Sequence, residues 1–185
     1  MSEYEFEIVN VVGTGKLPEE LDLSAVKDDL AGECWENEST QPGLHQKFHE
    51  DGPMTTFYPS GSYIIRAPSE EKLAQSNAKV LNAVSDLGIV EPDVDTEFAI
   101  KNVVGLATLG VDVDLNAVTI GLGLENSEYE PEIFPALIYR RSKYPCTFLI
   151  FASGKVVSAG SKSEESSRES FEKFYNEELE WIVNV

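Results

Sequence analysis

Cysteine is nearly absent from this chain of 185 residues. Cys34 and Cys146 are the only two, with no CxxC spacing, so a disulfide framework is excluded and the cytoplasm is the expected compartment. Histidine is as scarce. His45 and His49 are the only pair, which leaves no Ser-His-Asp or Cys-His set to assemble. Their spacing of four would suit a metal on a helix, but the segment between Gly43 and Gly52 reads as strand and turn. No Cys or carboxylate motif completes a site there, so no metal and no cofactor are expected. No run approaches the roughly 18 apolar residues needed to span a membrane. The start, Met1-Ser-Glu-Tyr-Glu-Phe-Glu7, is acidic and carries no signal-peptide pattern. Gly13-Thr-Gly-Lys16 lacks the spacing and the following Ser or Thr of a phosphate loop, and is expected to be a simple turn. Gly121-Leu-Gly123 has no dinucleotide fingerprint around it. No convergent catalytic group emerges, and the chain does not read as an enzyme.

Basic residues are the other shortage. There are 14 against 33 acidic ones, for a net charge of −19. Such a balance ordinarily opposes nucleic-acid binding, because phosphates repel an acidic surface. It has a second source: proteins of cells with molar internal salt carry many carboxylates to stay hydrated. The acid here is spread over both halves rather than gathered in a tail, which fits that halophilic origin.

What is present is repetition. Phe6-Glu-Ile-Val-Asn-Val-Val-Gly13 matches Phe98-Ala-Ile-Lys-Asn-Val-Val-Gly105 at an offset of 92. Ser60-Gly61 matches Ser153-Gly154 at 93, and Ser69-Glu-Glu71 matches Ser163-Glu-Glu165 at 94. The drift is that of single-residue loop changes. The chain divides into a first repeat at 1–90, a polar linker at 91–96 and a second repeat at 97–185. Each repeat opens with a short strand, Glu5 to Val12 or Glu97 to Val104. A helix follows, at about Pro18 to Leu30 with Asp22 or Ser24 as cap, or at about Asp114 to Leu124. Short strands come next, in the second repeat near Ala136–Arg140, Thr147–Ala152 and Lys155–Ala159. A long helix closes each repeat, Ser69 to about Leu87 and Ser163 to about Ile182. Hairpin-linked strands with helices at the ends of each run favour an α+β fold, an antiparallel sheet with its helices on one face. The other face is then bare, and a large bare sheet face marks a binding surface.

Two phenylalanines, Phe134 and Phe151, flank a hairpin of the second repeat, and the words around them are distinctive. Tyr129-Glu-Pro-Glu-Ile-Phe-Pro-Ala-Leu-Ile-Tyr-Arg140, Leu149-Ile-Phe-Ala-Ser-Gly-Lys155 and Lys101-Asn-Val-Val-Gly105 resemble the archaeal TATA-box-binding protein family. Leu115-Asn-Ala-Val-Thr-Ile-Gly-Leu-Gly-Leu-Glu-Asn126 looks like its haloarchaeal members.

The resemblance implies two pseudo-symmetric repeats that form a saddle-shaped ten-stranded antiparallel sheet with four helices on the convex face. It implies a general or gene-selective transcription initiation factor that binds and bends the minor groove of A·T-rich promoter DNA, a property for which this family is the known example. It also implies recruitment of transcription factor B and, indirectly, of RNA polymerase. Carried over by position, Phe134 and Phe151 are the wedge pair of the second repeat, backed by Pro135. Asn10 and Asn102 reach the central base pairs, and Val12, Val104, Leu149 and Val157 form an apolar floor. Arg140, Lys155 and Lys162 are phosphate contacts. Glu130, Glu132 and Ile133 meet transcription factor B.

The first repeat departs from that pattern and marks a divergent paralogue. Gln41 stands where the second repeat has Phe134, and Tyr58 where it has Phe151. An amide between bases is unfavourable without partners. A tyrosine still stacks if its hydroxyl is satisfied. The turn lysine is Ser62, and the family's paired central threonines are Arg66 and Ala159. The expectation is asymmetric engagement, with a smaller bend. The competing expectation is a module that binds transcription factor B and has lost DNA, acting as a decoy.

Overall fold

The computed structural model describes residues 4–36 and 43–183, so Gln41 lies outside the described residues. The opening strand β1 runs Glu5–Lys16, four residues further than the sequence suggested. Gly13-Thr-Gly-Lys16 is therefore strand and not turn. The reason is packing. A Cβ at Gly13 would strike Phe98 and Leu73, and one at Gly15 would strike the ring of Tyr63. Glycine inside a strand here marks a close approach of aromatic side chains to the backbone.

The first repeat continues with helix α1 (Leu23–Lys27), strands β2 (Glu33–Glu36), β3 (Leu44–Lys47), β4 (Met54–Phe57) and β5 (Ser62–Ala67), and helix α2 (Glu70–Asp86). The Asp22 side chain accepts from the backbone N–H of Ser24 and Ala25, which starts α1 at Leu23 rather than near Pro18, and the helix ends at Lys27 after little more than one turn where about three were expected. The second repeat follows the same order. It contains β6 (Ala99–Thr108), α3 (Leu115–Leu122), β7 (Ser127–Glu128), β8 (Ala136–Tyr139), β9 (Thr147–Phe151), β10 (Lys155–Ser161) and α4 (Glu164–Phe174). Asp114 caps α3 as Asp22 caps α1, and Ser163 caps α4 as Ser69 caps α2. The closing helix is not uniform. A π turn, Tyr175–Leu179, carries α4 into α5 (Glu180–Val183). Among the described residues no helix is long and apolar enough to cross a membrane.

Two compact units result, residues 10–101 and residues 1–9 with 102–185. In the first, the strand order is β2-β3-β4-β5-β1; in the second it is β6-β10-β9-β8-β7. Every register among these strands is antiparallel. The cut between units differs from the cut between repeats because the opening segments are exchanged. Phe6 stacks on Phe171 of α4 at 5.2 Å between ring centroids, and Phe98 stacks on Tyr63 of β5 at 5.9 Å. The core of the second unit is aromatic, with Phe148 stacked on Phe174 at 4.2 Å and Phe171 and Tyr139 fully buried beside them.

Candidate nucleic-acid interface

Successive residues of a strand point to opposite faces, so register assigns each side chain to the helix side or the open side. In the second unit the helix-side rows are Gly105–Ser158–Phe148–Tyr139 and Ala107–Val156–Ile150–Leu137. These are the buried residues that pack beneath α4. The alternate row is Leu106–Val157–Leu149–Ile138, half-buried and wholly apolar. Val157 and Leu149 are cross-strand partners, and Val104 lies one rung along, opposite Ala159. Three of the four residues proposed for an apolar floor thus share one face. Leu106 and Ile138 complete the row, and sequence reasoning missed them.

The two phenylalanines frame one end of this face. Phe151 closes β9 and pairs in register with Ala136 of β8. Its carbonyl accepts from the N–H of Gly154 at 3.0 Å, in a turn where Gly154 takes φ 77°. Phe134 lies two residues before Ala136, in the loop between β7 and β8. Its ring stands edge to face on Phe151 at 6.4 Å, and it remains 38% exposed. The N–H groups of Ile133 and Phe134 both donate to the carbonyl of Glu130 at 2.9 Å, which folds the loop into a tight turn. That turn leaves Glu130, Glu132 and Pro135 exposed and Ile133 79% exposed. Tyr129 tucks the other end of the loop against the core.

The cations are placed unevenly. Lys155 and Lys162 are exposed and make no ion pair among the described residues. Arg140 is held at 3.2 Å by Glu128. Asn10 lies in β1 and Asn102 in β6, both half-buried. The amide oxygen of Asn102 is buried with no hydrogen-bond partner among the described residues, which leaves it available to a ligand donor.

The first unit presents a different face. By register its equivalent row is Thr14–Ile64–Thr56–His45–Trp35. Only Ile64 keeps the aliphatic character of the second unit's row. The Thr56 hydroxyl lies 2.9 Å from His45 Nδ1 and accepts from Arg66 Nη1 at 3.4 Å. Burial and then the Arg66 charge hold the His45 imidazole below its ordinary pKa, so it is neutral at pH 7. The Trp35 ring lies 5.5 Å from that of His45. Val12, expected on the floor, has Arg66 as its cross-strand partner. Tyr58 sits just past β4 in a turn with the backbone bonds of its counterpart, Gly61 N–H to the Tyr58 carbonyl at 3.0 Å, with Gly61 at φ 80°. Repeat register would have exposed the polar row: Thr14, Thr56 and His45 align with Leu106, Leu149 and Ile138.

The model of the family "Transcription factor TFIID (or TATA-binding protein, TBP)" matches residues 5–87 and again 97–177. TATA-box-binding protein C of Halobacterium salinarum is 42% identical over 178 residues, covering 95% of this chain and 98% of that protein. The TATA-box-binding protein of Haloarcula marismortui is 39% identical over 164 residues, 88% of this chain and 87% of its own. Among solved structures, Methanococcus jannaschii TBP shares 32% of its sequence, with a TM-score of 0.71 over 95% of this chain and 98% of that one. A family match that falls twice on the same chain, once per repeat, is what an internally duplicated member must give, and this chain belongs to the TATA-box-binding protein family.

Proposed function

We propose that this chain is a transcription initiation factor that binds the minor groove of A·T-rich promoter DNA and bends it mainly from the second repeat. The observation that carries this reading is the Phe134–Phe151 pair at the end of the apolar row Leu106–Val157–Leu149–Ile138. The minor groove offers few donors and acceptors, so a smooth apolar strip senses shape and deformability rather than a base code. An exposed phenylalanine braced by a second ring suits insertion at a base step. Lys155 supplies a phosphate contact at that end and Lys162 one past the far end of β10, and Asn10 and Asn102 meet acceptors or donors at the central base pairs. The acidic turn bearing Glu130, Glu132 and Ile133 receives transcription factor B, whose contact surface is then basic around an apolar pocket. RNA polymerase follows through that factor. The work is done on DNA in the cytoplasm, and no step requires a catalytic group.

The test is a shift and bend assay on a TATA duplex in molar KCl, with and without transcription factor B. Binding with a bend smaller than that of a Gln41→Phe, Tyr58→Phe variant supports the reading. Capture of transcription factor B with no DNA binding overturns it and leaves the decoy.

A further inference from the structure

The second repeat carries a lysine, Lys155, with no ion pair among the described residues, at the first residue after its hairpin turn. The first repeat has Ser62 there. The backbone at the two turns is the same. Gly154 and Gly61 both take positive φ, at 77° and 80°. The Gly154 carbonyl accepts from Leu109 N–H at 3.0 Å, and the Gly61 carbonyl from Leu17 N–H at 2.9 Å. The rung beside each turn is therefore equivalent. In the second repeat that rung pairs Lys155 of β10 with Thr108 of β6. In the first it pairs Ser62 of β5 with Lys16 of β1. Cation and hydroxyl have changed strands, and the charge of the rung is kept.

We propose that Lys16 is the phosphate-binding lysine of the first repeat, doing from β1 what Lys155 does from β10. This rests on the DNA-binding reading above. Lys16 is exposed and makes no ion pair among the described residues. Its backbone N–H donates to the Thr96 carbonyl at 3.0 Å, which fixes where its side chain starts. It lines a groove of about 350 Å³ together with Lys101, Tyr58 and Ser62. Lys16 has the register of Val12 and Thr14 and so ends the first repeat's open row beside Tyr58, whereas Lys101 has the register of buried Val103 and Gly105 on the helix side. Glu97 also lines the groove and offsets Lys101, so the charge that faces a phosphate backbone at the counterpart of Phe151 is that of Lys16, one of only 14 basic residues in the chain. The sequence Gly13-Thr-Gly-Lys16, without meaning as a phosphate loop, acquires one here. Its glycines let the strand pass under Phe98 and Tyr63, and its lysine emerges at the strand end.

The experiment compares the full chain with Lys16→Gln, Lys155→Gln and the double change Lys16→Thr/Ser62→Lys on one TATA duplex at fixed KCl. Lys16→Gln is expected to weaken binding by about three- to tenfold, the share of one phosphate contact, and Lys155→Gln by a similar factor. The double change rebuilds the rung of the second repeat and is expected to restore wild-type binding. Neutral methylphosphonate linkages placed one at a time along the duplex are expected to abolish the Lys16→Gln effect at one step. They should abolish the Lys155→Gln effect at a different step. Wild type that binds while Lys16→Gln binds equally well overturns the proposal, as does a double change that stays weak. Wild type that binds no duplex overturns the DNA-binding reading itself.

Discussion

Phe134 and Phe151 stand edge to face, their ring centroids 6.4 Å apart, with Phe134 more than a third exposed in a free chain. An aromatic held open by another aromatic is preorganised, so little side-chain order remains to be lost on insertion. Removing Phe134 loses about 1.5–3 kcal/mol of apolar burial in the complex. Phe134→Ala is expected to weaken TATA binding at least tenfold and to cut the bend measured by fluorescence transfer. Phe151→Ala should do the same and additionally let Phe134 reorient, which fluorine NMR on labelled phenylalanine would detect. A bend unchanged by Phe134→Ala would move the kinking element elsewhere.

The first repeat makes the complementary prediction. His45, Thr56 and Arg66 join in a hydrogen-bonded set where the second repeat has Ile138, Leu149 and Ala159. These polar groups must be desolvated against a nearly featureless groove floor. His45→Ile with Thr56→Leu is expected to raise affinity for A·T duplexes by about 1–2 kcal/mol, the value of restored apolar contact. The same change should leave binding of transcription factor B alone untouched. Titration of both partners by fluorescence anisotropy separates the two effects.

The repeats, the cap at Asp22, the helix starts at Ser69 and Ser163 and the strands β8, β9 and β10 were legible because each rests on local chemistry. Asp and Ser at helix starts, and Ser-Gly at a turn, need no tertiary context. Lys16 was not legible. Its segment holds two glycines, which read locally as a turn, and only Phe98 and Tyr63, distant in sequence, show why a strand needs them. The polar face of the first repeat was hidden for a related reason. The aligned words at Phe134 and Phe151 lie at the ends of the strands, while the change in surface lies between them. The exchange of Phe6 and Phe98 had no sequence signal, since both repeats begin with the same word and either partner satisfies it.

That exchange predicts an unusual pattern of damage. Phe98 begins the second repeat but stacks on Tyr63, whose hydroxyl is bonded to Asn77 and Thr96 at 2.7 and 2.8 Å. Phe98→Ala is expected to cost about 2–4 kcal/mol, near the low end for a large aromatic because the ring is only half-buried. Hydrogen-exchange protection should fall in β5 and α2, not in β9 and α4. Phe6→Ala should show the reverse, with loss centred on Phe171. Equal loss in both units from either change would contradict the exchange.

Ile133 is expected to matter out of proportion to its contacts within the chain. It projects from the turn closed by the Glu130 carbonyl, flanked by Glu130 and Glu132, and is 79% exposed. An apolar side chain ringed by charge has the layout of an interface anchor, dry at the centre and polar at the rim. Ile133→Ala should weaken capture of transcription factor B by about 1 kcal/mol or more, without lowering the thermal midpoint. Glu132→Lys should slow association more than it speeds dissociation, and less so in molar KCl. Surface plasmon resonance at two salt concentrations reads both. Unchanged kinetics for both variants would place the partner on another surface.

The π turn in the closing helix holds a carboxylate that ties three elements together. Glu178 accepts from Tyr144 at 2.7 Å and from Tyr139, and pairs with Lys143 and with Arg141 at 3.3 Å. Burial pushes this carboxyl upward, but hydrogen bonds from Lys143, Tyr139 and Tyr144 and the Lys143 charge outweigh it and hold its pKa at about 2. Its charged form therefore stabilises the fold fully above the ordinary carboxylate range near pH 4.5, and that contribution is lost as pH falls toward 2. Burial and then the bond to Glu178 push Tyr139 up to about 12 and Tyr144 higher still. Both phenols stay protonated as donors until strongly alkaline pH. Stability from Tyr139 is kept below pH 10 and lost between 10 and 12. Glu178→Gln is expected to cost about 1.5–3 kcal/mol at pH 7, the value of hydrogen bonds to a charged group. The gap in thermal midpoint between wild type and Glu178→Gln should close as pH drops from 4.5 to 2. Circular dichroism melts across that range, at constant high KCl, would show a constant gap if the carboxylate were merely a surface charge.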